Sequence, residues 1–117
     1  MRHFKRLKKL GLKKSHRDSL VKNLVSSLVL SGRLRTTESR AKVLASRMGR
    51  IMSLVKKKEK REAIRILPKY CWGLAASKKI VDELKPKYEN RTSGFTRITK
   101  IGVRKGDNAS YVQIELL

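Results

Sequence analysis

Apolar residues between positions 20 and 29 recur with a helical period. They form pairs at 20 and 21, 24 and 25, and 28 and 29, which places all six on one helical face. Ser31-Gly32 follows as a glycine C-cap, and Ser15 with Asp18 three residues later is typical of a capping box. The pattern therefore predicts a helix that has Ser15 as its N-cap and buries one face.

A second helical pattern runs through the middle of the chain. Apolar residues at 41, 44, 45, 48, 51, 52 and 55 predict a long helix that is capped by Thr37. This helix ends in the lysines at 56–58, whose charges suit a helix C-terminus and are more typical of a solvated end than of a binding site. Residues 33–37, with two threonines, favour a short strand before it.

Two shorter helices are predicted after the lysines. The first covers residues 59–67 and is interrupted by Pro68, and the second covers residues 75–84 and stops before Pro86. Cys71 and Trp72 lie between them, where packing is a more usual role than chemistry.

The last quarter of the chain has the pattern of a β-hairpin. Residues 95–101 and 110–116 alternate between apolar and polar side chains, and a turn-rich segment with a basic tip, Arg104 and Lys105, connects them. With residues 33–37 as a third strand, the fold class is α+β, in which four helices pack on a small, mostly antiparallel sheet.

Composition limits the chain to a small and strongly basic protein. It has 117 residues, with 31 Lys and Arg against 9 Asp and Glu, for a net charge of +22. That length suits one domain, which we assign to residues 15–117, with residues 1–14 as a basic arm. No apolar run is long enough to span a membrane, and one cysteine with two histidines makes neither a disulfide nor a familiar zinc site.

The positive charge is concentrated at the N-terminus. Residues 1–17 contain eight Lys and Arg and no acid, more than a third of the net charge. Two interpretations remain open: a solvated disordered tail, or an arm that becomes ordered against phosphates. Eight phosphate contacts would give a log–log salt dependence with a slope of about −6 to −7.

Catalysis finds little support in these residues. The few acids form no convincing pair, no serine–histidine–carboxylate pattern is present, and Gly102 and Gly106 lack the following lysine of a phosphate-binding loop. We therefore expect no enzyme, no cofactor and no metal. A net charge of +22 instead indicates a polyanion as partner, with nucleic acid as the first candidate.

Several segments of the chain are specific enough to indicate a family. The most specific is RTSGFTRITKIGVRKGDNA over residues 91–109, which is followed by the Ile-Glu-Leu ending at residues 114–116. The others are Met1-Arg2-His3, His16-Arg17, Asn23-Leu24, Thr36-Thr37 and Arg40-Ala41-Lys42. In this order, the segments resemble bacterial large-subunit ribosomal protein seventeen. The sequence departs from the family at Leu12, Val43, Ala45 and Ser93, where we expect local contacts to differ.

The resemblance implies a structural role in the large ribosomal subunit, bound to its rRNA near the polypeptide tunnel exit. It implies ribosomal proteins twenty-two and thirty-two as neighbours, one copy per ribosome without a homo-oligomer, and no membrane partner. Because the match begins at Met1 without a transit peptide, we expect the bacterial cytoplasm, although a processed organellar form would have the same sequence.

Basic residues in three regions are our candidates for rRNA contact: the arm with the start of the first helix, the region around the second helix start, and the hairpin with its approach. Thr96 is included as a hydroxyl donor, with plain sheet surface as its alternative role. The candidates are Arg2, His3, Lys5, Arg6, Lys8, Lys9, Lys13, Lys14, His16, Arg17, Arg35, Arg40, Lys42, Arg91, Thr96, Arg97, Lys100, Arg104 and Lys105.

Two other function classes fit the charge. A free-standing architectural protein for DNA would bind duplex DNA and structured RNA alike, and would usually need a dimer interface that the sequence does not reveal. A membrane-active cationic protein would need one amphipathic basic helix, whereas the most basic segment lacks that period.

Overall fold

The computed structural model describes residue 3 and residues 8–117, so residues 1, 2 and 4–7 of the predicted arm lie outside it. Within the described residues, four helices pack against a three-stranded sheet, which confirms the α+β class; the fourth helix is continuous from Leu74 to Lys87 through a π-helical turn. The elements are α1 (Lys14–Ser31), β1 (Arg33–Thr37), α2 (Glu38–Lys57), α3 (Lys60–Ile66), a 3-10 turn (Leu67–Lys69), α4 (Leu74–Lys79), a π-helical turn (Ile80–Leu84), α5 (Lys85–Lys87), β2 (Thr96–Val103) and β3 (Ser110–Leu116).

The sheet has β3 at its centre, in the order β1-β3-β2, and both pairings are antiparallel. Val112 and Ile114 of β3 point toward the helices and are fully buried, as their alternation predicts. The hairpin of β2 and β3 is confirmed, although β2 runs two residues further than predicted, with a bulge between Lys100 and Gly102.

One hydrophobic core lies between the helices and the inner face of the sheet. Val25 of α1 and Leu44 and Met48 of α2 are completely buried there, together with the apolar face of α4 and the π-helical turn. Cys71 is also buried in this core, as predicted, but the neighbouring Trp72 is 48% exposed. The Lys22 ammonium lies 4.5 Å from the centre of the Trp72 ring, so tryptophan packs on the surface of α1.

The predicted capping box at the start of α1 is wrong. Helix α1 begins at Lys14 with Lys13 as N-cap, and the backbone N–H of Arg17 donates to the Lys13 carbonyl at 2.9 Å. Ser15 is therefore already inside the first turn. The other end agrees with prediction, since Gly32 has a φ of 80° and its N–H donates to the Leu28 carbonyl.

The predicted stop before Pro86 is also wrong. The helix that begins at Leu74 widens into the π-helical turn and then continues through α5 to Lys87. Pro86 occupies the first turn of α5, a position that tolerates proline's missing N–H. The apolar side of this helix, including Ala76 and Ile80, is buried as its spacing predicts.

Candidate nucleic-acid interface

The outer face of the sheet, which we call the open face, presents arginines in register. The pairings place Arg33 and Arg97 on either side of Glu115 in one row across the three strands, and Arg35 beside Gln113 in the next. All three arginines are exposed, and none of the described helices lies over them. The open face therefore combines three arginines with one carboxylate.

Most of the positive charge on the open face is not neutralised by the one carboxylate there and is available to a ligand. The Arg97 Nη1 lies 3.9 Å from the Glu115 Oε1, and both side chains remain partly exposed, so their attraction is weak. Thr99 and Tyr111 add hydroxyl groups to the same face. A planar guanidinium group can donate two parallel hydrogen bonds to phosphate oxygens, and hydroxyl groups can hydrogen-bond to sugars. The open face therefore suits a polyanionic backbone.

Strand alternation divides the predicted residues of β2 between two faces. Arg97 lies on the open face, whereas Thr96 pairs with Leu116 and Lys100 with Val112, which places both on the helix side. Thr96 is half-buried there. Arg33, which was not among our candidates, also lies on the open face. Its position two residues before Arg35 in a predicted strand could have identified it, because alternate residues of a strand share a face.

The hairpin tip holds one of its two basic residues internally. Asp107 accepts hydrogen bonds from Arg104 Nε at 3.0 Å and from Arg104 Nη2 at 2.5 Å, and also from the backbone N–H of Ala109. The side-chain hydrogen bonds from Arg104 hold the pKa of the Asp107 carboxyl at about 2. Arg104 thus stabilises the turn although its side chain is exposed, and Lys105 is exposed as well.

The start of α2 already contains a carboxylate. Glu38, in the first helical turn, lies 3.0 Å from Lys42 Nζ. The hydrogen bond from Lys42, followed by one from Ser110, lowers the pKa of the Glu38 carboxyl. A phosphate at the amides of this helix would meet that negative charge. Of the two α2 candidates, Lys42 is paired with Glu38, whereas Arg40, in the same first turn as Glu38, is exposed.

The remaining candidates lie around the arm and the approach to β2. A turn closed by the Leu12 N–H and the Lys9 carbonyl, at 3.1 Å, leads into α1. Arg17 is half-buried, and Arg91 is exposed, with its Nη1 donating to the Gly94 carbonyl at 2.8 Å. The exposed candidates here are His3, Lys8, Lys9, Lys13, Lys14 and His16, whereas Arg2, Lys5 and Arg6 lie outside the described residues.

Acidic residues gather on a different side, which we call the acidic side. Glu59 and Glu62 lie at α3, and Asp82 and Glu83 lie in the π-helical turn, where Lys60 Nζ is 2.9 Å from Asp82 Oδ1. Lys60 and Arg61 lie among these carboxylates, so the acidic side carries both signs of charge, whereas the open face carries three arginines and one carboxylate.

Comparison with known proteins gives the family. The family model described as ribosomal protein L17 matches residues 20–117. The chain belongs to the ribosomal protein L17 family. Three relatives, each named large ribosomal subunit protein bL17, are similar over nearly their whole length. The protein of Carboxydothermus hydrogenoformans is 38% identical over 112 residues, covering 93% of this chain and 96% of its own. That of Rubrobacter xylanophilus is 35% identical over 120 residues (100% and 96%), and that of Sulfurimonas denitrificans is 37% identical over 117 (100% and 100%).

Membership of the L17 family assigns the chain a structural role in the ribosome rather than a catalytic one. Within residue 3 and residues 8–117, no group of three or more His, Cys, Asp and Glu side chains could hold a metal ion. Over the same residues, no helix has the length and apolar character needed to cross a membrane. Burial raises the pKa of the Cys71 thiol, which keeps it in its unreactive protonated form.

The departures from the L17 pattern have local explanations. Val43 and Ala45, two of the positions at which we expected a departure, are half-buried against the core. Gly94 rather than Ser93 carries the positive φ of its turn, at 67°, so a serine at 93 needs no left-handed backbone.

Proposed function

We propose that the chain binds large-subunit rRNA and stabilises its fold near the polypeptide tunnel exit. The observation that carries this proposal is the open face, where Arg33, Arg35 and Arg97 stand in register on an uncovered sheet. Folded RNA brings phosphates from distant helices close together, and a rigid cationic surface between them offsets their repulsion. The names of the relatives, which are large-subunit proteins, support the large subunit as the assembly.

The other expectations from the resemblance belong to the same proposal. Ribosomal proteins twenty-two and thirty-two are its neighbours, one copy is present per subunit, and the protein works in the bacterial cytoplasm. Residues 1–14 form an arm that contacts rRNA beyond the domain of residues 15–117. The arm's described portion, with Lys8, Lys9 and Lys13 exposed, has the charge that this role needs.

Sedimentation of a tagged copy from lysate tests the assembly. We expect migration with the large subunit through moderate and then high salt, because many simultaneous contacts hold an integral protein. Release as soon as salt rises would contradict the proposal and favour a free-standing architectural protein. Chemical cross-linking of the purified subunits should then recover ribosomal proteins twenty-two and thirty-two; their absence would contradict the tunnel-exit position.

A further inference from the structure

A groove runs along the exposed side of α2, opposite the core. Its volume is about 770 Å³, and it lies between one stripe of α2 and the segment of residues 92–96. Ser46, Gly49, Arg50, Ser53 and Lys57 occupy the α2 wall at helical spacing. We call this feature the α2 groove.

The groove combines positive charge and hydroxyl groups with apolar lining residues, among them Ala45, Leu54 and Phe95. Its lining contains Arg50, Lys57 and Lys58 and no acidic residue. Ser53 lines the groove from α2, and Thr92 and Ser93 line it from the segment of residues 92–96, so both walls contribute hydroxyl groups. Tyr70 adds an aromatic ring to the lining. Cations, hydroxyls and an aromatic ring together are the groups that bind phosphate, ribose and base.

The wall opposite α2 is held in place by hydrogen bonds. Lys56 Nζ donates to the Arg91 carbonyl, and Arg91 Nη1 donates to the Gly94 carbonyl at 2.8 Å. The backbone N–H of Leu117 donates to the Phe95 carbonyl at 3.0 Å, which ties the same segment to the chain end. The groove is therefore preformed, and an occupant does not need to order its walls.

Gly49 lies in the interior of a 20-residue helix and within the groove. Glycine weakens a helix interior relative to alanine, and a Cβ at this position would meet no atom within 4 Å. The fold itself therefore does not require glycine here. A missing side chain instead allows an occupant to approach the α2 backbone closely.

We propose that the α2 groove holds a single-stranded segment of RNA. Arg50 and Lys57 bind its phosphates, the serine and threonine hydroxyls reach its ribose groups, and Tyr70 contacts a base. This inference rests on the proposed rRNA function and extends it to a second surface. The two surfaces lie on opposite sides of the edge strand β2, since Thr96 lines the groove from the helix side and the adjacent Arg97 lies on the open face. Three lining cations and the absence of acidic lining residues favour RNA over a protein segment.

Site-directed photo-crosslinking in assembled large subunits tests the occupant. A short aryl azide is attached to the cysteine of Ser53→Cys in the groove, Gln113→Cys on the open face, or Glu62→Cys on the acidic side. Native Cys71 is 1% exposed and its pKa is raised, so it labels little, and the labelled wild type measures this background. We expect RNA adducts from positions 53 and 113 and none from 62.

Each alternative outcome separates the two proposals. If position 113 crosslinks to RNA but position 53 reacts with a protein or with nothing, the groove inference is overturned and the rRNA function stands. If neither position crosslinks to RNA, both are overturned. As an independent measure, Arg50→Gln should reduce the salt slope of binding to large-subunit rRNA by about 0.7, whereas the matched Arg61→Gln, exposed on α3, should leave it unchanged. Equal slopes for the two variants would also overturn the inference.

Discussion

Replacing the arginines of the open face should change the salt dependence of RNA binding by a calculable amount. The variant carries Arg33→Gln, Arg35→Gln and Arg97→Gln. All three side chains are exposed, and the one recorded ion pair among them, Arg97 with Glu115 at 3.9 Å, lies on the surface. Surface pairs of this kind contribute about 0–1 kcal/mol, so we expect the variant to fold normally.

Counterion release determines how much the salt slope of RNA binding should change. Each phosphate that a side chain neutralises contributes about 0.7 to 0.9 to the slope of log K against log salt concentration. Three lost contacts therefore reduce the slope by about 2 to 2.7. Between 50 and 200 mM salt, the wild-type affinity should fall about 20- to 40-fold more than the affinity of the variant.

Filter binding of a labelled large-subunit rRNA transcript, measured across that salt range, gives both slopes. The matched control removes three charges from other exposed positions, as Arg61→Gln, Arg65→Gln and Lys78→Gln. Circular dichroism confirms that both variants are folded. A control slope that falls as much as that of the open-face variant would refute the reasoning, because binding would then depend on net charge alone.

Three further predictions concern stability and local structure. Gly49→Ala should raise the free energy of unfolding by about 0.5–1 kcal/mol in a denaturant titration, yet lower crosslinking from the α2 groove; a destabilised variant would show that the fold needs this glycine. Leu44→Ala should lower the free energy of unfolding by about 2–5 kcal/mol, since Leu44 is fully buried, and a loss below 1 kcal/mol would contradict that burial. Asp107 should titrate near pH 2 by NMR, so its pair with Arg104 persists above the ordinary value of 3.8 and is lost as pH falls toward 2; titration at 3.8 would exclude the pair.

Periodicity predicted most of the elements because each helix and strand buries one regular face. The apolar pairs of α1 and the alternation of β3 led directly to Val25 and Ile114 in the core. Helix ends were predicted less well. Ser15 is a good capping residue, but capping preference is small compared with the packing that fixes where α1 begins. Pro86 likewise does not end the helix, because it lies in the first turn of α5, directly after the π-helical turn, where proline's missing N–H is tolerated.

The candidate site, like the fold, was predicted only in part from the sequence. Charge alone selected Arg35, Arg97 and the exposed residues of the arm, because a polyanion partner follows from a net charge of +22. Charge did not separate these from Arg104, whose guanidinium is bound to Asp107, or from Lys42, which is paired with Glu38. Those pairings depend on the turn and on the helix start, which place the carboxylates beside the cations.

By itself, the sequence determined a small α+β domain, a polyanionic partner and the family, because periodicity, net charge and ordered motifs are properties of the chain alone. Only the tertiary structure decided which cations lie together. Arg33, Arg35 and Arg97 share a face through the pairing of β1 and β2 with β3, and Ser53 and Thr92 line the same groove because a distant segment is anchored to α2 through Lys56 and the Arg91 carbonyl. Neither arrangement is encoded locally, since strand register and helix packing are fixed only when the common core forms.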